Sequence, residues 1–192
     1  MVFGLGQPLH PGLAGIRIIL GYKSMAIRNY LIEGVSGSGK TSVATELERR
    51  GYHVVHGDRV LAYQGDPETG APLPPERRSD DLHFLNDHHI WDPEQIRALT
   101  ADQSHAMTFF CGGSRNHDKF VHLFDAVFIL VADWPLIESR LKTRTGEWGE
   151  TEAERAITRE LHRTGRDQPA SGIRIDATRP LAAVVDAILA QC

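Results

Sequence analysis

Eight consecutive residues, Gly34-Val35-Ser36-Gly37-Ser38-Gly39-Lys40-Thr41, carry the spacing G-x-x-x-x-G-K-[ST]. Glycines at these places let backbone N–H groups turn inward around a row of phosphates. A lysine there neutralises phosphate oxygens as a point charge, and the Thr41 hydroxyl is a natural ligand for Mg²⁺. Gly34, Ser36, Gly37, Ser38, Gly39, Lys40, Thr41 and Ser42 are therefore the candidate phosphate contacts. Lysine is scarce in this chain: Lys23, Lys40, Lys119 and Lys142 are the only four among 21 Lys+Arg, which makes the position of Lys40 informative. The competing reading is a glycine-rich turn with an incidental lysine. Context decides between them, because the motif requires a strand before it and a helix after it.

Both flanks meet that requirement. Asn29 to Glu33 reads as a strand, and Lys40 to Arg50 places Val43, Ala44 and Leu47 at helical spacing and stops at Gly51, a residue suited to the left-handed position after a helix. Further apolar runs over 52–55, 106–111, 126–132 and 173–175 bring the strand candidates to five, separated by helical patterns, the signature of a parallel sheet in an α/β three-layer sandwich. Helix starts are marked at Asp92, with Pro93 and Gln95 behind it, and at Thr151, with Glu154 three residues on. Asp133 is placed to cap a helix over 135–143, Thr178 to cap a closing helix over 180–189, and a further helix is expected over 116–124. Residues 61–91, with four prolines between Asp66 and Pro75, read as a long irregular stretch of the kind that carries function.

Composition narrows the function classes. The 192 residues, 41% hydrophobic and 24% charged, suit one compact domain over residues 25–192. With 25 Asp+Glu and a net charge of -4, the chain lacks the basic excess of a general nucleic-acid binder, and no apolar run reaches membrane-spanning length. Two cysteines, Cys111 and Cys192, build no disulfide framework, which points to a reducing cytoplasm, with Cys111 as a small buried hydrophobe. Residues 1–24 show no clear signal peptide and read as a loosely structured extension, with a translation-start artefact as one explanation.

The motif over Gly34 to Thr41, with the order of elements across residues 28–190, resembles the P-loop small-molecule kinases, the group of nucleoside monophosphate, shikimate and gluconate kinases. The resemblance implies a five-stranded parallel sheet of adenylate-kinase-like topology. It also implies a substrate insertion at about 59–95 and a lid at about 144–152. Asp58, just past the second strand, stands where such kinases place a carboxylate on the acceptor hydroxyl; a turn-forming Gly-Asp pair is the plain alternative. Arg59 beside it either contacts an anionic substrate or is solvated. Gly112 and Gly113 resemble the glycine pair that lets a substrate approach the backbone, with Arg115 placed to bind it through two parallel bonds; a tight turn is the plain alternative. Arg140 and Arg144 match an R-L-x-x-R pattern before the lid, on one helical face, so both lean toward the phosphates and Arg144 takes transition-state charge. Arg179 falls where these kinases touch the adenine base. Arg166 is a loose match to a second lid arginine that a solvated helix face explains equally well.

The chain departs from the nucleoside monophosphate kinases in lacking a D-G-F-P-R stretch and an obvious second Mg²⁺ carboxylate; Asp102 and Asp133 are weak candidates. His83, His88 and His89 lack the partners of known zinc sites, and Trp91 reads as core packing. The expectation is an ATP-dependent, Mg²⁺-requiring phosphotransferase acting on a small hydroxylated metabolite, nucleoside or nucleotide. Lys40, Asp58 and Arg144 are its catalytic residues, and Asp58, Arg59, Gly112, Gly113 and Arg115 its acceptor contacts. The alternative is a nucleotide-binding regulatory protein with slow hydrolysis and no acceptor. Neither oligomeric state nor acceptor identity is readable from the sequence.

Overall fold

The structure is a computed structural model that describes residues 27–192; the expected extension over 1–24 lies outside the described residues. In chain order the elements are β1 (Arg28–Glu33), α1 (Lys40–Arg49), β2 (His53–His56), α2 (Gly57–Val60), β3 (Ala62–Gln64), α3 (Leu82–Asp87) and β4 (His89–Trp91). They continue with α4 (Pro93–Thr100), β5 (Met107–Cys111), β6 (Ala126–Val131), α5 (Trp134–Lys142), α6 (Glu152–Thr164), β7 (Ile173–Asp176) and α7 (Leu181–Leu189).

The expected five-stranded sheet is present, in the order β2-β5-β1-β6-β7, and every pairing is parallel. Period-two alternation divides its side chains between two cores. Tyr30 and Ile32 of β1 and Phe109 and Cys111 of β5 face a layer of α1, α5, α6 and α7, supplied by residues such as Leu47, Ile137, Leu161 and Val185. Leu31 and Phe110 face the opposite way, onto Val55, Leu61, Trp91, Ile96 and Phe120. Both faces are thus covered, as a parallel sheet requires. Register aligns Ile32 with Cys111 on one side and with Phe128 on the other, so the carboxyl ends of the strands form one edge. Ligands of open α/β sheets gather at that edge. No helix among the described residues is long and apolar enough to cross a membrane.

Several local expectations need correction. Residues 61–91 are not irregular throughout: β3 and β4 pair antiparallel, Ala62 with Trp91 and Gln64 with His89, with α3 between them. The prolines interrupt only the loop that leaves β3. No α-helix forms over 116–124, where two single 3₁₀ turns, His117–Lys119 and Val121–Leu123, stand instead. There the Asn116 side chain is held by the main chain of Trp91, accepting from its N–H at 3.1 Å and donating to its carbonyl at 2.9 Å, and Phe120 stacks on the Trp91 ring. These tertiary contacts override the local helical pattern.

The caps are mixed. Asp92 accepts from the N–H groups of Glu94 and Gln95, and Thr151 with Glu154 forms a complete capping box. Asp133 precedes α5 but its side chain caps nothing. Thr178 is not a cap either: it donates from N and Oγ1 to Asp176, and α7 starts later, behind Pro180.

Candidate active site

The glycine-rich loop leaves β1 at the carboxyl edge and enters α1 with Gly39 at φ 111°, a conformation that suits glycine and aims the first N–H groups of the helix out of the fold. No side chain caps these groups, so the loop and the helix start present donors and a positive dipole end to an anion. The Lys40 ammonium lies against the loop, donating to the Gly34 carbonyl at 2.5 Å and the Val35 carbonyl at 3.3 Å. Burial lowers the Lys40 pKa, against the pull of Asp58 and Glu33.

Two cavities flank this loop. The larger, about 500 Å³, runs from Lys40 and Thr41 past Asp58, Gln64 and His89 to Arg115 and Asp167. The other, about 470 Å³, lies between Ser42, Arg140, Ala177 and Arg179. Gly37, Thr41, Arg144 and Glu147 line both, so the loop is the wall through which they communicate. An elongated molecule can therefore lie with its body in the second cavity, its anionic chain on the loop and its tip facing the first.

Asp58 begins where β2 runs directly into α2. Three donors converge on its Oδ1: the Gly113 N–H at 3.0 Å, Trp91 Nε1 at 3.3 Å and His89 Nε2 at 3.4 Å. No donor among the described residues reaches Oδ2, and the side chain is 47% exposed at the cavity wall. Burial opposes its charge, but the His89 hydrogen bond, Lys40 and the Gly113 N–H outweigh that and hold the carboxyl below its usual range. The result is a fixed carboxylate with one oxygen turned to no protein donor.

Trp91 explains much of this placement. Its ring is fully buried, and a Cβ built on Gly57 or Gly112 would lie 2.1 or 2.4 Å from it. A Cβ on Gly112 would also meet Asp58 at 2.6 Å. The Gly112 hydrogen thus makes room for Trp91 and Asp58, while Gly113 is the member of the pair that lines the cavity.

Sequence reasoning missed Glu33. It ends β1 with only 2% exposure, beside the Gly34 N–H and under Gly113. Burial raises its carboxyl to about 8, despite Lys40 and Arg115 nearby. One cavity thus holds two carboxyl groups pushed in opposite directions, a pattern that separates acid from base roles. A signal existed in the sequence, an ionisable residue closing an otherwise apolar strand. Gln64, His89 and Asp167 also line the cavity, and they come from segments with no motif.

Of the arginines, Arg144 donates to Ser36 Oγ at 2.8 Å and to the Trp148 carbonyl at 3.0 Å, tying the α5–α6 loop to the glycine-rich loop. Arg140 reaches the carbonyls of Ser38 at 3.1 Å and Ala177 at 2.9 Å, so it fixes the loop against the segment that follows β7. Arg179 and Ser42 line the second cavity, and the exposed Arg59 lines the first. Arg115 lines the first cavity but is paired with Asp167 at 2.9 Å. Arg166 lies outside both cavities, within 3.7 Å of Asp87 and 3.9 Å of Glu160, as a solvated face would have it.

Thr41 Oγ1 makes no hydrogen bond among the described residues and shares the cavity with Asp58 and Glu147, an oxygen donor set suited to a hard cation. Among the described residues no group of three His, Cys, Asp or Glu side chains could hold a metal. Asp102 and Asp133 line neither cavity. His88 Nδ1 donates to the Phe84 carbonyl at 2.9 Å and its ring stacks on Phe84, while His89 is engaged by Asp58.

No family model matches the sequence, and no curated protein does. Solved structures do. The chain is similar to shikimate kinase from Acinetobacter baumannii in complex with shikimate, at 18% identity over 86% of this chain and 92% of that one, with a TM-score of 0.57. It is similar to shikimate kinase from Bacteroides thetaiotaomicron, at 13% identity over 86% and 98%, with a TM-score of 0.57. Deoxyadenosine kinase from M. mycoides follows at 13% identity over 85% and 97%, with a TM-score of 0.50. At these identities the likeness establishes the fold, the five-stranded parallel α/β fold of P-loop small-molecule kinases with adenylate-kinase-like topology.

Proposed function

We propose that this protein is an ATP-dependent phosphotransferase that moves the γ-phosphoryl group to a hydroxyl of a small metabolite. The observation that carries the reading is the charged, three-donor-fixed Asp58 with its bare Oδ2, in a cavity that adjoins the glycine-rich loop. A protein that only binds or slowly hydrolyses nucleotide has no need of that carboxylate or of a second cavity.

The adenosine end occupies the groove of Ala177 and Arg179, and the phosphates rest on the N–H groups of the loop and the start of α1. Lys40 swings from the Gly34 carbonyl to the phosphate oxygens. Thr41 Oγ1, with carboxylate help from Glu147, would hold the Mg²⁺ that accompanies the nucleotide, and this ion would supply charge neutralisation at the phosphates. The acceptor hydroxyl is oriented by Asp58 Oδ2. Its oxygen bonds to the γ-phosphorus as the bond from that phosphorus to the β–γ bridging oxygen breaks, ADP departs, and the hydroxyl proton passes to Asp58. Arg144, at the junction of the cavities, stabilises charge on the group in flight. Little covalent work is asked of the protein, and positioning and charge do most of it. The α5–α6 loop over 144–152 serves as the lid, residues 59–95 carry the acceptor site, and the reaction belongs to the cytoplasm, where ATP is plentiful.

The test is incubation with γ-labelled ATP, Mg²⁺ and a metabolite mixture. Label appearing in a small molecule is the expected result. Slow release of inorganic phosphate with no labelled metabolite would overturn the reading in favour of a regulatory nucleotide binder.

A further inference from the structure

The acceptor end of the larger cavity has an unusual electrostatic arrangement. Arg115, the buried cation there, is committed: its Nη1 lies 2.9 Å from Asp167 Oδ2 and 3.4 Å from the Asp167 carbonyl. Asp167 has a side chain only 7% exposed, so its carboxylate cancels the guanidinium inside the wall rather than in solvent. The remaining hydrogen-bonding capacity is mixed in sign. Three buried polar atoms on side chains of this wall have no partner among the described residues: Arg115 Nε, a donor, and Gln64 Oε1 and Asp167 Oδ1, both acceptors. Gln64 is held through its amide N–H to the Leu85 carbonyl at 3.2 Å, which leaves its oxygen as the unpaired end. Buried groups of this kind are normally satisfied, and here the side chains that carry them line the cavity.

A carboxylate or phosphate on the acceptor offers acceptor atoms only. It would satisfy Arg115 Nε while setting lone pairs against Gln64 Oε1, Asp167 Oδ1 and the charged Asp58. A hydroxyl both donates and accepts and so conflicts with none of these groups. A flat base would look for an aromatic face; Trp91 is sealed behind Gly57 and Gly112, and Trp148, which lines the cavity from the loop above Ser36, is held by its Nε1 donating to Thr158 Oγ1 at 3.2 Å. Arg59, exposed at the rim, is the one lining cation of this end without a carboxylate partner among the described residues.

We infer that the acceptor is a neutral polyhydroxylated molecule, a monosaccharide or polyol, and that Asp167 sets this preference by cancelling the charge of Arg115. The inference rests on the phosphotransferase reading and narrows it. Specificity of this kind is built by mismatch against the wrong ligand as much as by fit to the right one.

The experiment measures ADP formation and label transfer with matched acceptors: aldoses and alditols, the corresponding aldonates, nucleosides and nucleoside monophosphates. The neutral sugars or polyols should exceed their aldonates in kcat/KM by at least about tenfold. Asp167→Asn should raise KM for the neutral acceptor by about tenfold or more and improve the aldonate, because it frees the Arg115 charge. Gln64→Ala, which leaves the ion pair intact, should raise KM for the neutral acceptor with kcat little changed, and it keeps the test open if Asp167→Asn fails to fold. Preference for an aldonate, a nucleoside or a nucleotide, or unchanged selectivity in both Asp167→Asn and Gln64→Ala, would overturn the inference while the phosphotransferase reading stands. Transfer to no acceptor of any class would instead overturn that underlying reading.

Discussion

The glycine-rich loop and the far wall of the larger cavity are built by opposite means. The loop, where we place the phosphate donor, is one contiguous run, Gly34 to Ser42, that offers backbone N–H groups and Lys40 and is braced by Arg140 through the carbonyls of Ser38 and Ala177. The wall, where we place the acceptor, collects side chains from β1, α2, β3, β4, the turn after β5 and the segment after α6, namely Glu33, Asp58, Gln64, His89, Arg115 and Asp167. A backbone site needs a fixed local spacing, whereas a side-chain site needs only a fold that brings distant positions together. The first therefore depends on the conformation of a loop and the second on the packing beneath it.

If that contrast holds, damage to packing should strike the acceptor side first, and Trp91 is the place to apply it. Trp91→Ala empties a fully buried site between Gly57, Gly112 and Phe120 and removes a donor to Asp58. Its expected cost is about 3–5 kcal/mol of stability in urea unfolding, and transfer activity should fall further than ATP binding does. Trp91→Phe should recover most of the stability but not the Nε1 bond. A Trp91→Ala protein unfolding at the wild-type midpoint would break the contrast.

A smaller effect sharpens it. The folded state keeps the Glu33 proton until about pH 8, whereas the unfolded chain releases it near 4.5. Between those values the unfolded state binds fewer protons, so this carboxyl makes the protein less stable as pH rises, by up to about 1.4 kcal/mol per pH unit, and the loss levels off above the folded value. Glu33→Gln lacks this titration. Thermal unfolding across pH 5–9 should show the variant gaining on wild type up to about pH 8, and parallel curves would mean that Glu33 is ionised in the fold.

Legibility in the sequence followed the same division. The five strands, the loop, α1 and the Thr151 capping box were readable because each rests on local spacing or alternation. Asp58, Gly113 and Arg115 are placed by the resemblance and Arg59 as the neighbour of Asp58, and these four line the larger cavity, whereas Gly112 does not. The pairing of Arg115 with Asp167 was not readable, since 52 residues separate them and neither sits in a motif. The small β3–β4 sheet was hidden by the prolines in its connection, and the 3₁₀ turns over 117–123 by aromatic contacts that only the fold creates. Glu33 is the residue whose signal was present and unused, a carboxylate closing a buried strand.

The account rests on separate donor and acceptor halves, and the most direct measurement is the rise in Tm on adding Mg²⁺-ATP to wild type, Lys40→Ala and Asp58→Asn. Saturating ligand at a hundred times its Kd should stabilise a competent donor site by about 2.7 kcal/mol. The account predicts that Asp58→Asn keeps the wild-type rise although transfer is lost, and that Lys40→Ala loses most of it. An undiminished rise in Lys40→Ala would place the nucleotide elsewhere and contradict the account.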